Sequence, residues 1–184
     1  AHFGIKQQLI SYTSHATEKK HEAIIEKLAR GEDLALVTDA GTPAISDPGF
    51  LIVKEIYDAF KDDARVVAVP GASAVISALS ISGIPSSEFI FLGFLPHKKG
   101  RETLFKEIAD SKRTIIFYES PHRIEKTLIR LAEILEEERT IAICREMTKL
   151  YEEVVRGGAQ KCLSVFQEHA EKIRGEFVVI VEGK

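Results

Sequence analysis

The stretch LALVTDAGTPAISDPG, residues 34–49, indicates the fold class of this 184-residue chain. It places a short apolar run, residues 34–37, shortly before an eleven-residue loop, residues 39–49, that has two glycines and two prolines. A short apolar run bounded by turn residues is typical of a buried strand, and a long ordered loop is usually functional. Ligands of open α/β sheets bind outside the carboxyl ends of strands. We therefore predict a ligand site at this loop.

The residue types in the loop suit such a site. Gly41 and Gly49 permit backbone conformations that other residues avoid, so a ligand can approach the main chain. Pro43 and Pro48 stiffen the loop, and a stiff loop loses less entropy when it binds. The hydroxyl and carboxylate side chains available for contact are Thr42, Ser46, Asp39 and Asp47.

Short apolar strands alternate with helical segments along the whole chain, which favours an α/β fold. Before residue 85 we predict buried strands at 34–37 and 65–69 and helices near 17–31, 48–60 and 73–81. After the turn-rich stretch 83–87 we predict strands at 89–94, 114–118, 140–144, 152–156 and 177–181. No helix separates 140–144 from 152–156, so these two should pair antiparallel. The prediction is two lobes, residues 1–85 with a mostly parallel sheet and residues 86–184 with a mixed sheet.

Composition and missing motifs exclude several classes of protein. The chain is 45% hydrophobic and has a net charge of -3, so any contact with nucleic acid needs a local basic patch. Its two cysteines have no metal-ligand spacing and suit the reducing cytosol, and no apolar run is long enough to span a membrane. The motifs GxxxxGK[ST], GxGxxG, HExxH and GxSxG are absent, which argues against P-loop, dinucleotide-binding, zinc-protease and hydrolase functions.

Four further polar loops follow predicted strands. The PGAS loop at 70–73 is by itself more typical of an ordinary turn, and ESPHR at 119–123 is typical of a helix start whatever else it does. REMTK at 145–149 fits a solvated turn and a functional loop equally. PHKKGR at 96–101 is a compact basic loop that could contact phosphate.

Six blocks stand in order along the chain. They are TDAGTPAISDPG (38–49), VPGASAVISAL (69–79), FIFLGFLPHKKG (89–100), FYESPHR (117–123), REMTKLYEE (145–153) and GEFVVIVEG (175–183). Together they resemble the tetrapyrrole methylase-like superfamily of S-adenosylmethionine enzymes and, within it, the bacterial 16S ribosomal RNA cytidine 2′-O-methyltransferases. The resemblance covers essentially the whole chain, and six ordered blocks are far more specific than one loop.

The resemblance implies a two-lobed fold, a homodimer, and the donor S-adenosylmethionine bound in a cleft between the lobes. Members of the group have a strand and a Pro/Gly loop before the point where this chain begins, and the chain lacks an initiator Met, so we expect a part of a longer protein. In the donor loop of other members of the superfamily, an Asp often stands at the position of Thr42. The implied donor contacts are Gly41, Thr42, Pro43, Ala44, Ile45, Ser73, Ala74, Phe94, Leu95, Gly175 and Glu176.

The implied reaction is methyl transfer to a ribose 2′-hydroxyl of 16S ribosomal RNA or the small ribosomal subunit, without a metal. A positioned acceptor for the hydroxyl proton would help this reaction, and the candidates are Asp39, Asp47, Glu119 and His122. The candidates for holding RNA phosphates are Lys98, Lys99, Arg101, Arg123 and Lys149. The alternatives are methyl transfer to a tetrapyrrole and a non-catalytic module that binds a nucleotide or RNA.

Overall fold

The chain packs as two compact units, one ending at Gly71 and the other running from Ala72 to Lys184. The computed structural model describes residues 4, 6–14 and 16–184. The expectation of a longer protein rests partly on the start of the chain. Residues 1–3 there lie outside the described residues.

The first unit has two helices, α1 (Glu18–Ala29) and α2 (Phe50–Phe60), and α2 leads into a short 3-10 turn at Lys61–Asp63. The helix start predicted at Thr17 is confirmed, whereas α2 begins two residues after Pro48, behind Gly49. A polar contact joins the two helices: His21 of α1 is buried, and its Nδ1 lies 2.7 Å and 2.8 Å from the two carboxylate oxygens of Glu55 in α2.

Neither strand predicted for the first unit forms. Among its described residues the structure has no strand, and residues 34–37 and 65–69 belong to no helix or strand. Several of their apolar side chains are open to solvent, with Val69 86% exposed. The predicted parallel sheet of the first lobe is therefore wrong for these segments. An apolar run signals a tendency to burial, but a strand exists only where another strand accepts and donates its main-chain hydrogen bonds.

The second unit alternates strands and helices, and every strand predicted in it is confirmed to within two residues at each end. The helix start predicted at 119–123 lies slightly later, because residues 121–123 form a turn and α5 begins at Ile124. No helix in the described part of the chain is long and apolar enough to cross a membrane. The elements are α3 (Ala74–Ser82), β1 (Phe89–Phe94), α4 (Arg101–Asp110), β2 (Thr114–Glu119), α5 (Ile124–Ile134), β3 (Thr140–Arg145), β4 (Glu153–Gly158), α6 (Ala159–Glu168), a 3-10 turn (Ala170–Lys172) and β5 (Phe177–Val181).

These strands form one mixed sheet in the order β1-β2-β5-β3-β4. β1 and β2 are parallel, and every other neighbouring pair is antiparallel, so the predicted mixed sheet and the β3–β4 pair are confirmed. Every residue of β5 is buried, because this strand lies between two neighbours and under helices on both faces.

Both faces of the sheet carry an apolar core. The first core packs α4, α5 and α6 on one face, with Phe105, Leu128 and Phe166 fully or almost fully buried. The second packs α3 on the opposite face, where Ala78 contributes to a cluster with Ile180. Because α3 packs on this sheet, the second compact unit begins at Ala72, before residue 85. The predicted division into two lobes after residue 85 stays a prediction.

The two cysteines test how tightly these cores are closed. Burial raises the pKa of the Cys144 thiol to about 12 and that of the Cys162 thiol to about 11. Because the thiolate is the reactive form, neither thiol should react with a disulfide reagent such as DTNB at pH 8 while the protein is folded. Both should react in denaturant. Fast stoichiometric labelling without denaturant would contradict the closed cores.

Candidate active site

The topology of the second unit brings four strand-end segments to one edge of the sheet. β1 and β2 are parallel, so their carboxyl ends lie together, with Phe94 opposite Tyr118. β5 runs the other way, so its first residue, Phe177, lies opposite both Glu119 at the end of β2 and Arg145 at the end of β3. The segments that meet at this edge are 94–101, 119–123, 145–149 and 175–176.

Phe94 and Leu95 present different groups at this edge. Phe94 is 54% exposed, and the centroid of its ring lies 5.3 Å from that of the Tyr118 ring. Leu95 is buried, with its side chain in the core, and its carbonyl accepts a 2.8 Å hydrogen bond from Arg123 Nη1.

Glu119 is a buried carboxylate whose acceptor positions are all used. One oxygen accepts from the Ser120 amide at 2.9 Å and from Arg123 Nη2 at 2.8 Å. The other accepts from Arg101 Nη2 at 2.9 Å and from the Thr127 hydroxyl at 2.8 Å. A carboxylate has about four lone-pair positions, so four donors satisfy it. Such a group is held in a fixed place.

Arg101 and Arg123, predicted as phosphate contacts, both turn inward. Besides Glu119, Arg101 donates to the Pro96 carbonyl at 3.1 Å and to the Thr127 hydroxyl at 2.6 Å. The two arginine side chains are only 14% and 16% exposed. Thr127 is absent from the sequence-based candidates, because a single threonine within a helix carries no signal of such a contact.

Three polar side chains of this edge face solvent. Lys98, Lys99 and His122 are exposed, and within the described ranges neither lysine has an ion pair. The backbone beneath the lysines turns back, since the Arg101 amide donates to the Lys98 carbonyl at 3.2 Å. These side chains are therefore accessible to a ligand.

The 145–149 loop is joined to the 175–176 segment. The main chains of Glu146 and Glu176 are linked by a 2.9 Å bond, and the Glu176 amide donates to the Glu146 carboxylate at 2.9 Å. Lys149 bridges both carboxylates at 3.1 Å and 2.8 Å. Glu146 and Thr148 have φ values of 52° and 64°, a strained conformation for these residue types. Strain of this kind clusters at functional sites, which favours the functional interpretation of this loop.

This junction predicts a pH effect. The hydrogen bond from the Glu176 amide lowers the pKa of Glu146 below its ordinary 4.5, opposed by burial and helped by Lys149. A lowered carboxyl pKa adds stability above the unfolded value, and that stability is lost as pH falls through the folded value. We expect Glu146→Gln to be less stable than the wild type at pH 7 and to lose less between pH 5 and pH 3. Urea unfolding at each pH measures this, and parallel pH curves would contradict it.

In the first unit, the 38–49 loop is also strained and internally bonded. The Thr38 hydroxyl donates to Asp47 at 3.1 Å, and Ala44 and Ser46 have φ values of 68° and 58°. Gly49 is needed for space, because a Cβ there would lie 2.8 Å from a methyl carbon of Leu36. The loop is thus held in one unusual conformation, as the sequence predicts for a ligand loop.

The remaining predicted residues are exposed or half-buried. Asp39, Gly41, Thr42 and Ile45 are exposed in the first unit, with Pro43 half-buried. In the second unit, Ser73 precedes α3, its carbonyl accepts from the Ser77 amide at 2.9 Å, and Ala74 starts the helix. Across the described residues, no three His, Cys, Asp or Glu side chains are grouped to hold a metal ion.

Comparison with known proteins identifies the family. The sequence profile described as Tetrapyrrole (Corrin/Porphyrin) Methylases matches residues 4–162. The chain belongs to the tetrapyrrole methylase family. The resemblance that the six sequence blocks indicated is confirmed.

Within this family, the chain is similar to proteins named ribosomal RNA small subunit methyltransferase I. It is 44% identical to that of Haemophilus influenzae over 100% of this chain and 64% of the relative. It is 41% identical to that of Thermotoga maritima over 99% of this chain and 79% of the relative. The chain thus spans a little under two thirds of the length of the Haemophilus relative.

Solved structures of the family share the fold. The methyltransferase CobJ matches with a TM-score of 0.60 at 20% identity, over 90% of this chain and 70% of its own. Uroporphyrin-III C-methyltransferase from Thermus thermophilus, complexed with S-adenyl homocysteine, matches with a TM-score of 0.56 at 16% identity. The match covers 90% of this chain and 72% of that structure's chain. The predicted tetrapyrrole methylase-like fold is therefore confirmed.

Proposed function

We propose that this protein is an S-adenosylmethionine-dependent methyltransferase that methylates the ribose 2′-hydroxyl of a cytidine in 16S ribosomal RNA. The observation that carries the proposal is the 41–45% identity, over nearly the whole chain, with relatives named ribosomal RNA small subunit methyltransferase I. The common sheet edge supports it, since segments that the resemblance assigns to the donor and to RNA meet there.

The residues present fit such a donor. When bound, S-adenosylmethionine supplies a methyl group on a positively charged sulfonium. Phe94 is exposed and offers an apolar face. The strained 38–49 loop offers hydroxyls and fixed main-chain groups. The residues that would hold the donor are Gly41, Thr42, Pro43, Ala44, Ile45, Ser73, Ala74, Phe94, Leu95, Gly175 and Glu176.

The protein then has to place the hydroxyl, exclude water and accept a proton. Alignment of two reactants is itself a large part of such catalysis. Glu119 already accepts four hydrogen bonds, so it is poorly placed to take a further proton. We therefore propose Asp39, Asp47 or His122 as the acceptor. Replacing Asp39 or Asp47 by Asn, and His122 by Ala, should single out the acceptor as the one variant with a large loss of kcat.

The proposal is tested by donor binding and methyl transfer with the protein at its natural full length. Calorimetry should detect S-adenosylmethionine binding, and no binding at about 1 mM donor would refute the proposal. With radiolabelled donor, small ribosomal subunits should be labelled and a tetrapyrrole precursor should not. Labelling of the tetrapyrrole alone would favour the alternative acceptor. Binding of donor and RNA without turnover would favour a non-catalytic module.

We also propose that the protein works as a homodimer in the cytosol, with the small ribosomal subunit as its partner. The family resemblance supports the dimer, and the cysteine usage supports the compartment. Sedimentation equilibrium at micromolar concentration should give twice the mass of one chain. A single-chain mass throughout would refute the dimer.

A further inference from the structure

We propose that a buried ion cluster positions the basic loop that contacts the phosphates of the acceptor RNA. The basic loop is residues 96–100, which presents Lys98 and Lys99 to solvent. The inference rests on the proposed function in one respect, namely that the acceptor is an RNA. The positioning cluster consists of Arg101, Glu119, Arg123 and Thr127.

The cluster holds the point where β1 passes into the basic loop. Arg123 Nη1 donates to the Leu95 carbonyl at 2.8 Å, and Arg101 Nη1 donates to the Pro96 carbonyl at 3.1 Å. Glu119 binds both guanidinium groups, so one buried carboxylate at the end of β2 holds both arginines and, through them, both carbonyls in place. The direction in which the chain leaves the sheet is thereby set.

The other end of the basic loop is held by the same cluster. Arg101 is the first residue of α4, and its amide donates to the Lys98 carbonyl at 3.2 Å. Gly100, directly before the helix, has a φ of 84°, which closes the loop in a conformation that favours glycine. Both ends of a five-residue loop are therefore fixed, and the loop needs little ordering when it binds.

The distribution of charge identifies the ligand as a polyanion. Two guanidinium groups against the Glu119 carboxylate leave the cluster with one net positive charge, and Lys98 and Lys99 add two more. This surplus lies in a chain whose net charge is -3. Lysine side chains bind phosphate as point charges, and RNA presents phosphates in series. Lys98 and Lys99 are both exposed on this loop, so each can contact a phosphate.

The arginines themselves are positioning residues and not phosphate ligands. To reach a phosphate, Arg101 or Arg123 would have to leave Glu119, whose side chain has no exposure to solvent. A buried carboxylate without its partner is strongly unfavourable. The accessible lysines have no such bond to break.

The first experiment measures RNA binding by the double variant Lys98→Ala/Lys99→Ala. The probe is a single-stranded RNA of about 20 nucleotides, titrated between about 50 and 200 mM KCl. The binding constant falls with salt, and each lost phosphate contact should make the slope of log K against log salt less steep by about 0.7. Loss of two contacts should therefore reduce the steepness by about 1.4. The dissociation constant for S-adenosylmethionine should not change. The matched control is Lys106→Ala on α4, which should leave the slope as in the wild type.

The second experiment removes the cluster without touching the lysines. Thr127→Val keeps the shape of the side chain but loses its bonds to Glu119 and Arg101, whereas Thr127→Ser keeps the hydroxyl. We expect Thr127→Val to raise the KM for small ribosomal subunits several-fold with little change in kcat, and to lower the salt slope. Thr127→Ser should have the KM and the salt slope of the wild type. Added to the lysine double variant, Thr127→Val should have no further effect on the salt slope.

A folded Thr127→Val protein with the wild-type salt slope and KM would overturn the inference. If this variant does not fold, Arg101→Lys answers the same question, because lysine keeps the charge but cannot reach Pro96, Glu119 and Thr127 at once. Failure of the proposed function shows differently: the wild type would then bind neither donor nor RNA. A wild type that binds RNA with a slope unaffected by the lysine variant refutes only this inference.

Discussion

Replacing Glu119 by glutamine should lower the free energy of unfolding of the second unit by about 3–5 kcal/mol, the usual cost of breaking a buried ion pair. Glutamine keeps the size of the side chain but removes the negative charge that both Arg101 and Arg123 share. Its amide group would also point N–H groups at a guanidinium or a hydroxyl that donates. Hydrogen exchange of the β2 and β5 amides measures the loss locally, and denaturant unfolding measures it globally.

The control for this prediction is the exposed pair of Glu88 with Arg113. Its Oε2–Nε distance is 2.8 Å, close to those at Glu119, but the two side chains are 70% and 60% exposed. Exposed pairs contribute at most about 1 kcal/mol, so Glu88→Gln should change stability little. Equal losses for the two variants would show that burial does not decide the strength of the Glu119 cluster.

Replacing Gly175 by alanine should lower the free energy of unfolding by about 3 kcal/mol and weaken donor binding. Gly175 has a φ of 83°, where an L-residue costs about 1–2 kcal/mol. In addition, its Cβ would lie 2.4 Å from Oε1 of Glu146. The carboxylate can move away only by giving up its bonds to the Glu176 amide and Lys149, and a bond to a charged group is worth about 1.5–3 kcal/mol.

Two controls separate the causes of the Gly175→Ala effect. Gly83 has a φ of 65° but meets nothing closer than 3.5 Å, so Gly83→Ala should show the backbone cost alone, about 1 kcal/mol. Adding Glu146→Ala to Gly175→Ala should remove the overlap, so the two changes together should cost less than their sum. Strict additivity, or a Gly175→Ala loss no larger than that of Gly83→Ala, would refute the steric explanation.

The second unit shows how far local patterns predict structure. Its strands are apolar runs such as 177–181, buried on both faces, and its helices carry an apolar stripe, as in α5. Such signals survive because each segment finds its partner within the same unit. In the first unit the runs 34–37 and 65–69 carry the same signal, yet they form no strand in the part of the chain described here. Hydrogen bonding between strands is a property of pairs, and one segment's residues do not encode it.

The candidate site divides in the same way. The loops at 96–101, 119–123 and 145–149 could be located after strands from the sequence, but residue type alone predicted only 96–101 as a phosphate contact and left 145–149 open between a solvated turn and a functional loop. The sequence could not tell that Arg101 and Arg123 point inward while Lys98 and Lys99 point outward, since all four are basic residues near strand ends. Thr127, one helical position among many, carried no signal at all.

The loop at 39–49 and the five other blocks therefore determined the family, the fold class and the positions of the candidate loops by sequence alone. These properties depend on residue types and spacing within short segments, which a chain displays whether or not it is folded. The tertiary structure alone decided that Glu119 is buried, that it binds two arginines and Thr127, and that Lys98 and Lys99 are exposed. Those roles depend on distances of about 3 Å between side chains 4 to 26 residues apart, and only the packing of β2, α4 and α5 sets these distances.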